Sequence, residues 1–346
     1  MKRYFAGIFC VLFLAASAPA GDLPFWGFAV DGYPVLRQTI QELEEETSLP
    51  VQMVVFFLQW PAPDQAASAP FPEESLDAIW ERGSLPCLTW EPMYYEEGGK
   101  EIVIPYGAIL GGRYDRFLEN FAERAARWGR PFIVRFAHEM NLSRYAWGTG
   151  EASYGPENPE IYRRMFRYLV SLFRRKGADN VLWAFCPNVE SVPDVSYDPS
   201  ASWNRAEHYY PGGDWVDILG MDGYNWGRSR TLDRHGWESR WKPFHETFAS
   251  LHERLRILAP EKPVVVFETA SVTAVGDRST WLREALDTAR RWNLRGIAWF
   301  QVDKDNDWRI SRREVPPVEG RLAPARDAAR AWASSLRPAC VRKTKP

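Results

Sequence analysis

Residues 130–141 read RPFIVRFAHEMN. Pro131 opens the stretch, and Phe132, Ile133, Val134 and Phe136 make it apolar. His138, Glu139 and Asn141 then end it in polarity. A near-continuous apolar run suits a strand covered on both faces, as in a parallel sheet. Seven more such runs occur, at 25–32, 51–60, 85–92, 181–188, 216–226, 263–271 and 296–305. Amphipathic helical stretches fall between them at 114–129, 159–177 and 279–292, and 322–336 reads as a last helix. On 114–129, Phe117, Phe121, Ala125 and Trp128 share a face, and glycine follows as a C-cap. Eight strands alternating with helices over about 300 residues predict a (β/α)8 TIM barrel in a single domain. A doubly wound open sheet is the second arrangement that fits. The Pro/Ala-rich stretch 61–74 reads as a rim loop after the second strand.

The chain has 346 residues and a formal net charge of -2, which argues against a nucleic-acid partner. It carries 17 Trp, 14 Tyr and 19 Phe. Indole faces stack on the apolar faces of sugar rings, so this aromatic content points to a carbohydrate partner; a tryptophan-heavy core is the plainer account. Trp80, Trp128 and Trp292 fall on helical patterns and read as core. Lys2 and Arg3, a short apolar run and Ala18-Pro19-Ala20 predict a secretory signal over 1–20. The expected layout is therefore a signal peptide, a barrel over 21–337 and a basic tail over 338–346, with a secreted or periplasmic location. No membrane span is expected after cleavage, and a monomer is the expected state. Cys87, Cys186 and Cys340 then remain, an odd number, and the first two lie in apolar runs as buried thiols. No Cys/His cluster suggests a metal, and none of the three His-Glu pairs completes a zinc-peptidase motif.

In such a barrel the active site lies at the C-terminal strand ends. Those ends carry Asp31, Trp60, Glu91, His138 with Glu139, Asn188, Asp222 with Tyr224 and Trp226, Glu268, and Trp299 with Asp303. Alternation puts Arg135, Ala137 and Glu139 on one face of the fourth strand, and Val264, Val266 and Glu268 on one face of the seventh. If both faces point inward, Glu139 and Glu268 look into the same mouth. Two carboxyls across a pocket are what glycoside hydrolysis needs, one protonated and one ionised. Arg135 beneath them could hold one in its charged form. Glu91 reads either as a sugar ligand or as a rim residue, Asp222 as a backbone cap of the sixth loop, and Trp147 and Trp226 as subsite residues. Asp303, Asp305 and Asp307 read as a charged loop rather than an ion site.

Taken together, RFAHEMN with YAWG, GMDGYNW, FETAS and IAWFQVDKDNDWRI resemble glycoside hydrolase family 26, from the third strand to the eighth. The resemblance implies secreted β-mannanases, with relatives acting on mixed-linkage β-glucan or xylan, a (β/α)8 fold and a retaining mechanism without metal or organic cofactor. It also implies that Glu139 is the acid/base, Glu268 the nucleophile and His138 a sugar contact. Tyr224 would stand near the nucleophile, Trp299 would be a stacking platform, and Arg135 matches the arginine before the acid. The chain departs from the mannanase pattern after HEMN. Leu142 stands where a glycine is usual, and Arg144 where an aromatic is, leaving Tyr145 and Trp147. An anionic or differently linked glycan would suit that change. The function expected is a retaining endo-β-glycosidase on β-1,4-mannan. The alternatives are the same chemistry on mixed-linkage β-glucan or an exopolysaccharide, and a glycan-binding protein that does not cleave.

Overall fold

The computed structural model describes residues 23–336 apart from 274 and 275. The signal segment, the basic tail and Cys340 lie outside the described residues. The eight apolar runs form strands β1 (Phe25–Ala29), β2 (Met53–Gln59), β3 (Leu85–Glu91), β6 (Phe132–Phe136), β7 (Val181–Phe185), β8 (Ile218–Asn225), β9 (Val264–Ser271) and β10 (Gly296–Phe300). They close into a parallel barrel in the order β1-β10-β9-β8-β7-β6-β3-β2. A short antiparallel hairpin, β4 (Met93–Tyr95) and β5 (Glu101–Val103), follows the third barrel strand. The sequence reading missed it, because each arm is only three residues long. Gly98 and Gly99 turn it at positive φ, 85° and 79°, a region glycine enters without steric cost.

The outer ring contains α1 (Arg37–Thr47), α2 (Glu73–Glu81), α4 (Asp115–Trp128), α5 (Asn158–Arg175), α7 (Phe244–Leu258) and α8 (Arg278–Arg291). Two short helices, α3 (Tyr106–Leu110) and α6 (Leu232–His235), lie in loops. The last helix, α9 (Ala328–Ser335), starts later than the 322 expected from sequence, beyond Pro324. Helix α4 buries Phe117, Leu118, Phe121, Ala122 and Ala125, residues at helical spacing, and ends on Gly129 at φ 70°. The first face therefore packs on the sheet and the last residue stops the helix.

The core has two shells. Inside the barrel lie Ala29, Val55, Cys87, Ile133, Ala184, Cys186, Val265, Phe267 and Ala298. Between sheet and helices lie Trp26, Trp60, Trp90, Trp183, Trp281 and Trp299, with many aliphatic partners. Much of the tryptophan content thus serves packing, not sugar contact. Cys87 and Cys186 are buried free thiols. Helix α9 closes the N-terminal end of the barrel through Ala329, Trp332 and Ala333, with Phe25 and Trp332 ring centroids 5.1 Å apart. The C-terminal strand ends stay open. Among the described residues no helix is long and apolar enough to cross a membrane.

Candidate active site

The open end holds a groove of about 1110 Å³, lined among others by Glu91, His138, Glu139, Asn188, Tyr224, Trp226 and Glu268. Glu139 does not arrive there by simple alternation. Strand β6 stops at Phe136, and Ala137 and Glu139 take left-handed backbone, φ 48° and 50°. That conformation costs a non-glycine residue about 1–2 kcal/mol. Two cross-strand bonds hold it: Ala137 N–H donates to Trp90 O (3.0 Å) and Glu139 N–H to Cys186 O (2.8 Å). The turn thereby lifts Glu139 over the neighbouring strand and into the groove.

Glu268 reaches the groove by a second irregularity. Val264 and Val266 face the helices, while Val265 and Phe267 face the barrel interior. Simple alternation would turn Glu268 outward. Strand β9 carries one extra residue against both neighbours, with register shifting between Met221 and Asp222 on β8 and between Ile297 and Trp299 on β10. A bulge of this kind re-aims the following side chain. The inward direction of Glu268 expected from sequence holds, but Val264 and Val266 do not share its face.

Arg135 lies beneath both, fully buried. Its Nη1 donates to Asp222 Oδ2 at 2.5 Å, its Nη2 donates to Glu268 Oε1, and Nε and Nη2 donate to Thr89 Oγ1 at 3.0 and 2.7 Å. Asp222 is therefore the buried counter-ion of Arg135, not a loop cap. Arg135 itself lines no part of the groove; it acts through Glu268 and does not touch a bound sugar. Tyr224 Oη donates to Glu268 Oε2 at 2.6 Å. Both oxygens of Glu268 thus receive donors.

Glu139 sits in the opposite environment. Burial, followed by the negative charge of Glu268, pushes its carboxyl up to about 8. Asn188 Nδ2 donates to Glu139 Oε1 at 2.6 Å and pulls the other way. His138 is kept neutral, because burial and then the Arg135 charge push its imidazole well below the usual range. Glu91 is buried at the groove floor, where Gln59 Nε2 donates to its Oε2 at 2.5 Å. Burial raises its carboxyl to about 7.

Two sequence-predicted stacking residues are elsewhere. Trp299 faces the helices, fully buried between Trp26 and Trp281, with its Nε1 donating to Trp308 O at 2.8 Å. Parity decides this: the inward neighbours on β10 are Ala298 and Phe300, and Phe300 lines the groove. Trp147 is also buried, its Nε1 donating to His138 O at 2.6 Å and its ring stacked behind Tyr145. It supports the wall and offers no face to a ligand. Trp226 does line the groove, packed edge-on to Trp308 at 4.9 Å. Trp308 and Gln59 are lining residues the sequence reading passed over, although Trp308 stands within the quoted DNDWRI.

Arg144 is not a free cation. It bonds to Glu101 Oε1 of β5 at 2.6 Å and lies over the Tyr145 ring at 5.2 Å. The hairpin missed in the sequence thus neutralises the charge that suggested an anionic glycan. Asp303 and Asp307 pair with Arg309, and Asp305 with Arg230, as a charged loop. Among the described residues no cluster of His, Cys, Asp or Glu is placed to hold a metal.

Residues 111–237 match the sequence pattern described as Glycosyl hydrolase family 26. Over that segment the chain is similar to glycoside hydrolase family 26. The matched segment contains Arg135, His138, Glu139, Asn188, Asp222 and Tyr224, which is most of the site just described. Among curated proteins this chain is similar to endoglucanase H of Acetivibrio thermocellus, 30% identical over 80% of this chain and 27% of that protein. It is also similar to a mannan endo-1,4-beta-mannosidase of Bacillus subtilis, 26% identical over 43% of each. The chain thus spans about a quarter of the first relative and under half of the second. In fold it is similar to a Bacillus subtilis mannanase structure, with TM-score 0.59 and 17% identity over 86% of this chain and 85% of that one.

Proposed function

We propose that this barrel is a retaining endo-β-glycosidase acting on β-1,4-mannan. One observation carries the reading: two glutamates in one groove sit in opposite electrostatic settings. Glu268 is held by Arg135 and Tyr224, and Glu139 is buried beside its charge. Tuned apart in this way, they suit the two roles of double displacement. Glu139 gives its proton to the glycosidic oxygen as the C1–O bond breaks, while a Glu268 oxygen forms a bond to C1. The glycosyl ester is then opened by water, whose proton Glu139 takes back as general base. Tyr224 and Arg135 orient Glu268 for attack. His138, neutral and facing the groove, and Glu91 with Gln59 are placed to bind sugar hydroxyls, and Trp226 offers an apolar wall. No step calls for a metal or an organic cofactor.

A second reading keeps the chemistry and changes the polymer to mixed-linkage β-glucan. It is favoured by the likeness to a protein named endoglucanase H, which extends over more of this chain than the mannosidase likeness does. The departure at Leu142 and Arg144 points the same way. The deciding experiment measures reducing-end release from mannan, glucomannan, mixed-linkage glucan and xylan, with Glu268→Ala as control. Proton NMR of the first product anomer reads the stereochemistry. Release from mannan with a β-anomer, absent in the variant, is the expected result. Release from glucan alone selects the second reading. Binding without release from any polymer would sink both in favour of a non-cleaving glycan-binding protein.

A further inference from the structure

We propose that Asn188 is a positioning residue that fixes which oxygen of Glu139 carries the transferable proton. This rests on the glycosidase reading above and goes further, assigning a role to a residue that the sequence placed only at the end of the fifth barrel strand. Asn188 is buried, and its amide nitrogen donates to Glu139 Oε1 at 2.6 Å. The orientation of the amide is not free. Asn188 Oδ1 accepts from Glu190 N–H at 2.9 Å, so a flip would set two donors face to face there.

The backbone of Asn188 is held as firmly. Asn141 Oδ1 accepts from Asn188 N–H at 2.9 Å, and Asn141 Nδ2 donates to Asn188 O at 2.9 Å. One carboxamide thus clamps both polar groups of one residue. Asn141 is buried, and its own carbonyl accepts from Val192 N–H at 2.9 Å and Asn204 Nδ2 at 3.0 Å. The donor on Glu139 is therefore fixed from the β7 loop, not by a mobile side chain.

The chemistry follows from the donor's position. Oε1 accepts the amide N–H, and in a carboxylic acid the carbonyl oxygen is the better acceptor, so the protonated acid carries its hydrogen on Oε2. Oε2 is then the atom that gives the proton to the leaving oxygen. After transfer, the same Asn188 bond is made to a carboxylate and strengthens, because bonds to charged acceptors are the stronger ones. Asn188 thus favours the ionised product of the proton transfer while leaving Oε2 free for it.

The test titrates the Glu139 carboxyl of the full chain by carbon-13 NMR, with Glu139→Gln assigning its resonance. In Asn188→Ala the midpoint should rise by about one unit, since the ionised form loses a donor. An unchanged midpoint overturns the proposal. This readout needs no substrate, so it judges Asn188 even if the chain cleaves no glycan; a wild type inert on every polymer would sink only the reading beneath it. Where cleavage occurs, kcat/KM is compared on the polymer and on the 2,4-dinitrophenyl glycoside of the same sugar, whose leaving group departs without a proton. N188A should lose roughly ten- to a hundred-fold on the polymer and no more than about threefold on the aryl glycoside. Equal losses on both mean a merely structural role and overturn it. If N188A does not fold, Asn188→Asp keeps the shape and replaces the donor by an acceptor. The midpoint must then rise further, and one that stays or falls overturns the proposal.

Discussion

Replacing Arg135 by Met tests the electrostatic base of the site. The arginine and Asp222 are both fully buried with 2.5 Å between Nη1 and Oδ2, and the other arm of the guanidinium holds Glu268. At an effective dielectric of about 20, unit charges roughly 4 Å apart attract by about 4 kcal/mol. Removing one partner of a buried pair costs about 3–5 kcal/mol, since it leaves an uncompensated charge. Here two carboxylates lose their cation, so R135M should lose at least that much at pH 8. The loss must also depend on pH. Without Arg135, burial alone holds the folded pKa of Asp222 above its unfolded value near 4. Stability linked to such groups is fully present below the unfolded value and lost as pH rises through the folded one. The deficit of R135M against wild type should therefore shrink toward pH 5. Adding Asp222→Leu removes one of the stranded carboxylates and should recover about half of the loss. Urea midpoints at the two pH values read this directly. A deficit under about 1 kcal/mol at both, or one of the same size at both, would refute the reasoning.

Three further outcomes are expected. The Glu139 carboxyl, raised to about 8 by burial and by Glu268, should give kcat/KM an alkaline limb near pH 8. Glu139→Gln should abolish polymer cleavage, and its stability margin over wild type should grow from about pH 4.5 and level off near pH 8. Tyr224→Phe removes the 2.6 Å bond to Glu268; bonds to charged groups contribute about 1.5–3 kcal/mol. If that energy is realised in the transition state, kcat falls by about ten- to a hundred-fold, seen in steady-state rates. Trp299→Ala should cost about 3–5 kcal/mol in denaturant unfolding, as a buried aromatic does. Trp226→Ala, at the groove wall, should instead raise KM with little loss of stability; equal stability losses would argue against the two placements.

The barrel was legible because its strands are apolar on both faces and its helices on one, so pattern alone separates them. The two glutamates were legible because carboxylates ending apolar strands are rare. What pattern could not show was parity. On β9 the sequence reading grouped Val264 and Val266 with Glu268, and the bulge at Phe267 makes the conclusion right while the face is wrong. On β10 the same lack of register information put Trp299 in the groove, when Phe300 and Trp308 hold that wall. A bulge is a register event between strands and leaves no period in one strand. The Arg144–Glu101 pair was invisible for a related reason: it joins segments 43 residues apart through a hairpin too short to show alternation.

The geometry also couples the two halves of the proposed reaction. Before attack, Arg135 faces two carboxylates, Asp222 and Glu268, and the charge of Glu268 helps keep the proton on Glu139. Once Glu268 is esterified it is neutral, and that repulsion is gone. Arg135, Asp222 and an ionised Glu139 then remain in and beneath the groove, with the same total charge as before. Burial still disfavours the Glu139 charge, but Asn188 remains bonded to its Oε1 and Arg135 is no longer shared with a second carboxylate. The pKa of Glu139 therefore falls as it must change from acid to base. A single buried arginine can serve both steps because one negative charge disappears from the site in the same event that another appears.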